Sequence, residues 1–322
     1  MHSFKKTLSA VGIIAVLLLV LLAADTLLYP CTFMRNDIHA ISNNTYDDVF
    51  VGTSHGKMNI DPDTMKDISG RTGHNLCVGG EYPVDVLYMT KLMIENGHTP
   101  KRIIYEVSPG YFVREKEEGN NYLLFFHEFP LSLAKLDYFK NTVMKCDFRT
   151  LFFPWYEYDF SYEIKHIKDN VTKKLSGDYS AESFATKTQK YHESGFIERY
   201  PVDIETLEDD YAEEWFPEDI VAKNMDYLQK IIDLCKDNNI EFVAVTTPLS
   251  DRALEECNDG NAALNDYYTD YFNKAGVPYI NFNYGQYYDM TEHDLTCYTD
   301  LDGHMNGEAA RRFSATLAEV LK

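Results

Sequence analysis

A hydroxyl, an imidazole and a pair of carboxylates stand out in this sequence by where they fall. Ser54 lies in VFVGTSHG (49–56), an apolar run that stops at a glycine and sets a hydroxyl beside His55. His304 lies in DLDGHMN (300–306), with Asp300 and Asp302 close by. A serine alkoxide is inaccessible at neutral pH, so a nucleophilic Ser54 needs a base within hydrogen-bond reach. His304 can take that proton. A neighbouring carboxylate, Asp302 or Asp300, would fix the imidazole tautomer and stabilise the imidazolium. The developing oxyanion needs preorganised N–H donors. The amides of Ser54 and of Gly79 or Gly80, in NLCVGG (75–80), are suited to this, because glycine lets substrate approach the backbone. A serine in such a place, taken alone, is more often a turn or cap residue, so the elements that carry these groups must decide.

Those elements follow an alternating rhythm. DDVFVGTS (47–54), HNLCVGG (74–80) and PKRIIYEVSPGYF (100–112) read as strands, with an amphipathic helix in PVDVLYMTKLMIENG (83–97). The rhythm returns with a helix over 217–239, a strand in IEFVAVTTP (240–248), a helix over 264–276, a strand in VPYINF (277–282) and a terminal helix over 307–321. Short strands alternating with helices predict a three-layer α/β/α sandwich around a mostly parallel five-stranded sheet. In such a sheet ligands bind beyond the carboxyl ends of the strands. Ser54, Gly79–Gly80 and the 300–306 segment all fall at that rim. His55 and Asn306, next to the two reactive segments, are the candidate substrate contacts.

Residues 111–215 break the rhythm with aromatic clusters such as YLLFFHEF and LFFPWYEYDFSY. They read as a helical insertion that covers one edge of the sheet. Its aromatics suit either additional core or a substrate groove for sugar rings or acyl chains.

Residues 1–30 form a separate unit. Lys5 and Lys6 precede an uncharged apolar run from Thr7 to Ala24, long enough to span a bilayer, and Asp25 follows. The flanking charges predict an uncleaved signal anchor with residues 31–322 outside the cell, in preference to a cleaved signal peptide. Of 30 basic and 51 acidic residues, only Lys5, Lys6 and Asp25 lie in that unit, so the remainder carries a net charge of −22. Nucleic acid is thereby excluded as a partner, since phosphate binding needs a basic surface. The six cysteines form no CxxC or metal-finger spacing, and no HExxH appears, so no cofactor is expected. A disulfide between Cys257 and Cys297 is conceivable outside the cell.

VFVGTSH, NLCVGG and DLDGHMNGEAARRF, in that order, resemble the SGNH (GDSL-like) hydrolase superfamily over roughly residues 47–110 and 217–322. With its N-terminal anchor the chain is most similar to the exported branch that includes alginate O-acetyltransferase and the teichoic-acid D-alanylation accessory protein. That resemblance implies a serine acyl-enzyme that passes an acyl group to a cell-envelope glycan or polymer; the membrane tether leaves room for an integral-membrane partner that delivers it. It makes Ser54 the nucleophile, Gly80 an oxyanion donor and His304 the base. A surface-glycan esterase and an inactive binding or scaffold protein are the alternatives on the same fold. Two departures stand out. The usual Asp three residues before the His is Leu301, and the D-x-H spacing of the acetyltransferase group favours Asp302 over Asp300. The superfamily's Asn after strand three is absent; Glu106 and Ser108 occupy that zone.

Overall fold

β1 (Asp48–Val51) and β3 (Arg102–Glu106) are buried at every position, as unbroken apolar runs in a two-sided sheet require. The computed structural model describes residues 2–28, 32–116, 124–146, 160–176, 180–203, 207 and 212–322. In chain order the elements before the insertion are α1 (His2–Leu28), α2 (Phe33–Asn43), β1, α3 (Ser54–Asn59), α4 (Pro62–Ser69), β2 (Gly73–Asn75), α5 (Pro83–Glu95) and β3. The insertion contributes α6 (Leu133–Tyr138), α7 (Met144–Cys146), α8 (Phe160–Ser176) and a hairpin of β4 (Gln189–Tyr191) and β5 (Ile197–Arg199). The chain then runs through α9 (Ala222–Asp237), β6 (Glu241–Thr246), α10 (Asp251–Glu256), α11 (Asn258–Ala275), β7 (Tyr279–Asn281) and α12 (Gly307–Val320).

The main sheet has the order β2-β1-β3-β6-β7, with every pairing parallel. Alternation along each strand sorts the core into two halves. Val49, Val51, Ile103, Tyr105, Phe242 and Ala244 face the layer that holds α5, α9 and α11. Phe50, Ile104, Val243 and Val245 face α12 and α4. The result is the three-layer sandwich read from the sequence. β2 sits earlier than NLCVGG suggests: the ladder ends at Asn75, and Leu76 and Val78 continue with single bonds to Phe50 O (2.8 Å) and Gly52 O (3.0 Å). That frees Gly79–Gly80 to turn across the top of β1.

The insertion differs from an all-helical reading. Its β4–β5 hairpin docks beside the β2 edge, where Asn75 N–H donates to Ser194 O at 2.8 Å. An edge strand leaves N–H and C=O groups unpaired, and the hairpin supplies a partner. Phe125, Phe126, Phe129 and Tyr138 are buried in the α5-side core, so this aromatic cluster is core, not groove. LFFPWYEYDFSY lies largely outside the described residues. Cys257 and Cys297 are both buried free thiols and form no disulfide. α1 carries an apolar stretch, Lys6–Ala24, long enough to cross a membrane and wholly unburied against the rest of the protein.

Candidate active site

The sheet order reverses direction between β1 and β3, and ligands in open α/β sheets bind at such a switch point. Ser54 stands there as the first residue of α3, one residue beyond Thr53, which caps the helix. The elbow requires Gly52: its φ is +137°, and a Cβ would lie 2.6 Å from the Glu106 carbonyl oxygen. Beneath the elbow, Oε2 of Glu106 accepts from both the amide and the hydroxyl of Thr53 at 2.8 Å. Burial pushes the Glu106 carboxyl above its ordinary pKa; the Thr53 and Gly56 amides and the Thr53 hydroxyl, with His304, offset this only in part.

His304 reaches the elbow from the other end of the chain. Its Nε2 is 2.8 Å from Oγ of Ser54. Its Nδ1 is 2.8 Å from Oδ2 of Asp300, and its amide donates to Oδ1 of Asp300 at 3.1 Å. A carboxylate on Nδ1 makes that nitrogen the protonated one and leaves Nε2 to accept from the serine. Burial alone would raise the Asp300 pKa. The bond and charge of His304, its amide and the charge of Arg199 outweigh that and hold the carboxyl well below the usual range.

The carboxylate at the imidazole is that of Asp300, and the choice of Asp302 is corrected. Residues 299–304 form a tight turn closed by the Tyr298–Met305 bridge and by Thr299 N–H donating to His304 O at 2.8 Å. Asp300 and His304 face each other across the mouth of that turn. Asp302 sits exposed at its tip, and Gly303 follows with φ +109°. The short D-x-H spacing therefore aims Asp302 away from Nδ1. Asn306 is corrected as well. It caps α12, with Oδ1 accepting from Ala309 N–H (3.1 Å) and Nδ2 donating to Thr296 O (2.9 Å), and it does not line the cavity.

The remaining expected groups fall around Ser54. A Cβ built on Gly79 would lie 3.8 Å from Oγ of Ser54, so the Gly79 backbone passes beside the hydroxyl. The Gly80 amide faces the Tyr111 hydroxyl, which leaves Gly79 and Ser54 as the amides best placed for an oxyanion. His55 packs its ring 4.8 Å from that of His304. Burial first, then the charge of His304, drives its pKa down to about 3, against smaller opposing effects of Asp300 and the Asp302 backbone, so it is neutral at ordinary pH. Among the described residues no cluster of three His, Cys, Asp or Glu side chains is arranged to hold a metal.

From Ser54 and His304 a cavity of about 230 Å³ extends over the ends of β3, β6 and β7. Tyr111, Trp215, Tyr268 and Tyr279 supply aromatic wall, and Asn265 and Asn281 supply amides. Ser108, in the zone where an Asn is missing, also lines it.

Two residues of the site were not found by sequence reasoning. Asn59, at the end of α3, donates to Gly303 O (2.9 Å) and accepts from Met305 N–H (2.8 Å). Arg199, on the hairpin, donates to Asp300 Oδ2 at 2.6 Å. Neither stands in a motif, and each acts on a partner more than 100 positions away in the sequence.

No protein-family model and no curated protein matches the chain. Among solved structures it is similar to a "putative acylhydrolase" from Bacteroides fragilis, at 13% identity over 85% of each chain with a TM-score of 0.38. It is also similar to a GDSL-like lipase from Bacteroides thetaiotaomicron, at 13% identity over 85% of this chain and 86% of that one, with a TM-score of 0.37. At these values neither likeness bears on activity, and the geometry above stands by itself.

Proposed function

We propose that this protein is a membrane-anchored serine acyltransferase whose catalytic domain lies outside the cell and acts on a hydroxyl of a cell-envelope glycan. The single observation that carries the reading is the 2.8 Å approach of His304 Nε2 to Ser54 Oγ, with Asp300 on Nδ1. In the proposed reaction Oγ of Ser54 attacks an acyl carbonyl while His304 takes its proton. The oxyanion is held by the amides of Ser54 and Gly79. The carbonyl re-forms, the bond to the leaving oxygen or sulfur breaks, and His304 returns the proton to that atom. An acceptor hydroxyl then gives its proton to His304 and attacks the acyl-enzyme; the bond to Oγ breaks, His304 passes the proton to Oγ, and Ser54 and the new ester are released. An oxyanion donor of this kind is worth about 3 kcal/mol in the transition state.

Transfer is preferred to hydrolysis because the apolar Lys6–Ala24 helix would tether the site beside a membrane partner able to supply acyl groups. The test is to treat detergent-solubilised full-length protein with a serine-reactive phosphonate and locate the adduct by mass spectrometry. An adduct on Ser54 is expected. Product from an aryl acetate that depends on an added oligosaccharide indicates transfer; release of free acid alone indicates a surface-glycan esterase. Absence of any adduct, with function intact in Ser54→Ala, leaves a binding or scaffold protein.

A further inference from the structure

The hydrogen-bond chain from Ser54 does not end at Asp300. Oδ2 of Asp300 receives Nδ1 of His304 at 2.8 Å and also the guanidinium of Arg199 at 2.6 Å. Arg199 is the last residue of β5, inside the insertion, and the hairpin beneath it is fixed on several sides. Phe196 and Ile197 are buried. The Asn75 amide bonds Ser194 O. Glu198 pairs with His192 and with Arg311 of α12, each at 2.8 Å. The side chain that reaches Asp300 thus projects from a rigid support, as a group that orients a catalytic base should.

We propose, resting on the acyl-transfer reading, that Arg199 is a positioning residue: its guanidinium fixes the Asp300 carboxylate against Nδ1 of His304, so that the insertion completes a Ser54–His304–Asp300–Arg199 relay. Without Arg199 the Asp300 carboxylate is held by His304 alone, through Nδ1 and the amide, and moves with the 299–304 turn. With an Arg on the same oxygen as the imidazole, and the His304 amide on the other oxygen at 3.1 Å, its plane is set. The guanidinium also draws on the negative charge that would otherwise act on the imidazolium alone. The charged and titratable groups around this relay are His55 of α3, Glu106 of β3, Asp302 at the tip of the turn, and Glu198 with Arg311 behind the hairpin. None of these bonds Asp300; among the described residues its side-chain partners are Arg199 and His304.

The experiment compares wild-type full-length protein with Arg199→Met, Arg199→Lys and Glu198→Gln, using aryl acetate turnover across pH. For Arg199→Met, kcat falls roughly 10–100-fold, the range seen when a hydrogen-bond partner that orients a metal-ligating histidine is removed, while KM changes little. The acidic limb of its kcat/KM profile moves up by about half a pH unit, because Asp300 then acts on the imidazolium without a competing cation. Millimolar guanidinium restores part of the lost kcat in Arg199→Met and none in wild type. Arg199→Lys lies between the two and carries the test if Arg199→Met does not fold by circular dichroism. Glu198→Gln disturbs the hairpin's ion pairs without touching Asp300 and keeps the wild-type limb. The proposal is overturned if Arg199→Met, or Arg199→Lys in its place, keeps wild-type kcat and limb, or if kcat falls with an unmoved limb and no guanidinium rescue. In those cases wild-type turnover and Ser54 labelling leave the acyl-transfer reading standing. Wild-type protein that neither turns over nor labels at Ser54 ends both.

Discussion

Asn59 grips the main chain on both sides of His304. From the far end of the helix that Ser54 begins, its amide group donates to Gly303 O at 2.9 Å and its oxygen accepts from Met305 N–H at 2.8 Å. The side chain is fully buried. One short helix therefore carries the hydroxyl at its start and the clamp for the imidazole loop at its end. Asn59→Ala should cost about 2 kcal/mol in urea unfolding, since it strands two backbone groups. It should also lower aryl acetate turnover by more than its effect on KM. Wild-type turnover in a folded Asn59→Ala protein would show that the turn holds His304 without help.

Asp300 and Asp302 separate cleanly by substitution. Asp300→Asn leaves the shape but offers Nδ1 an ambiguous partner, and in related triads such a change costs about 10⁴ in kcat. A loss of at least three orders of magnitude is roughly expected here. Asp302→Asn, at the exposed tip of the turn, leaves the bond between Asp300 and Nδ1 intact and should keep most of the wild-type kcat. Steady-state hydrolysis of an aryl acetate measures both.

Glu81 gives a stability prediction with a definite sign. It is buried behind the elbow; Oε1 accepts from Gly52 N–H at 3.2 Å, and Oε2 has no partner among the described residues. Burial, then the charge of Asp85, pushes its pKa well above the ordinary 4.5. The folded protein thus keeps a proton that the unfolded chain releases, so its stability is full below pH 4.5 and falls as pH rises from there through the folded pKa. Glu81→Gln keeps the acceptor and removes the titration. Thermal melts at pH 5 and pH 8 should show a smaller decline for the variant, with its melting temperature above wild type at pH 8.

Lys57 and Asp37 form an ion pair at 2.7 Å with each side chain about 1% exposed. Lys57 also donates to Asn75 O (2.8 Å), and Asp37 accepts from Tyr191 Oη (2.7 Å). The pair ties α2, next to the apolar N-terminal helix, to the helix of Ser54. Burial would raise the Asp37 pKa, but the Lys57 charge and the His74 bond together hold it below 3.8. Its contribution is therefore present above that value and lost as pH falls below it. Lys57→Met removes one partner of a buried pair and should cost about 3–5 kcal/mol at neutral pH. The difference from wild type should narrow in acid, as denaturant titrations at pH 7 and pH 3 would show.

Local chemistry made several features of this protein legible without coordinates. The unbroken apolar runs around Val49–Val51, Ile103–Tyr105 and Phe242–Val245 specify strands buried on both faces, and intervening helices force them parallel. Glycine at 52 followed by a hydroxyl marks an elbow, because few other residues tolerate that backbone. Those signals are local, and the rim that brings Ser54 near His304 follows from topology.

What tertiary structure alone decided is which distant groups touch. The turn at 299–304 sends Asp302 outward and Asp300 inward, a matter of two ladder bonds that no spacing encodes. The β4–β5 hairpin delivers Arg199 to Asp300 across 101 positions, and Asn59 meets the His304 loop across 244. Hydrogen bonds depend on ångström-scale placement and direction, whereas periodicity reports only which side of an element is apolar. Periodicity and glycines along the chain set the layers and the rim; the 299–304 turn chose the carboxylate on the imidazole, and the insertion brought Arg199 to that carboxylate.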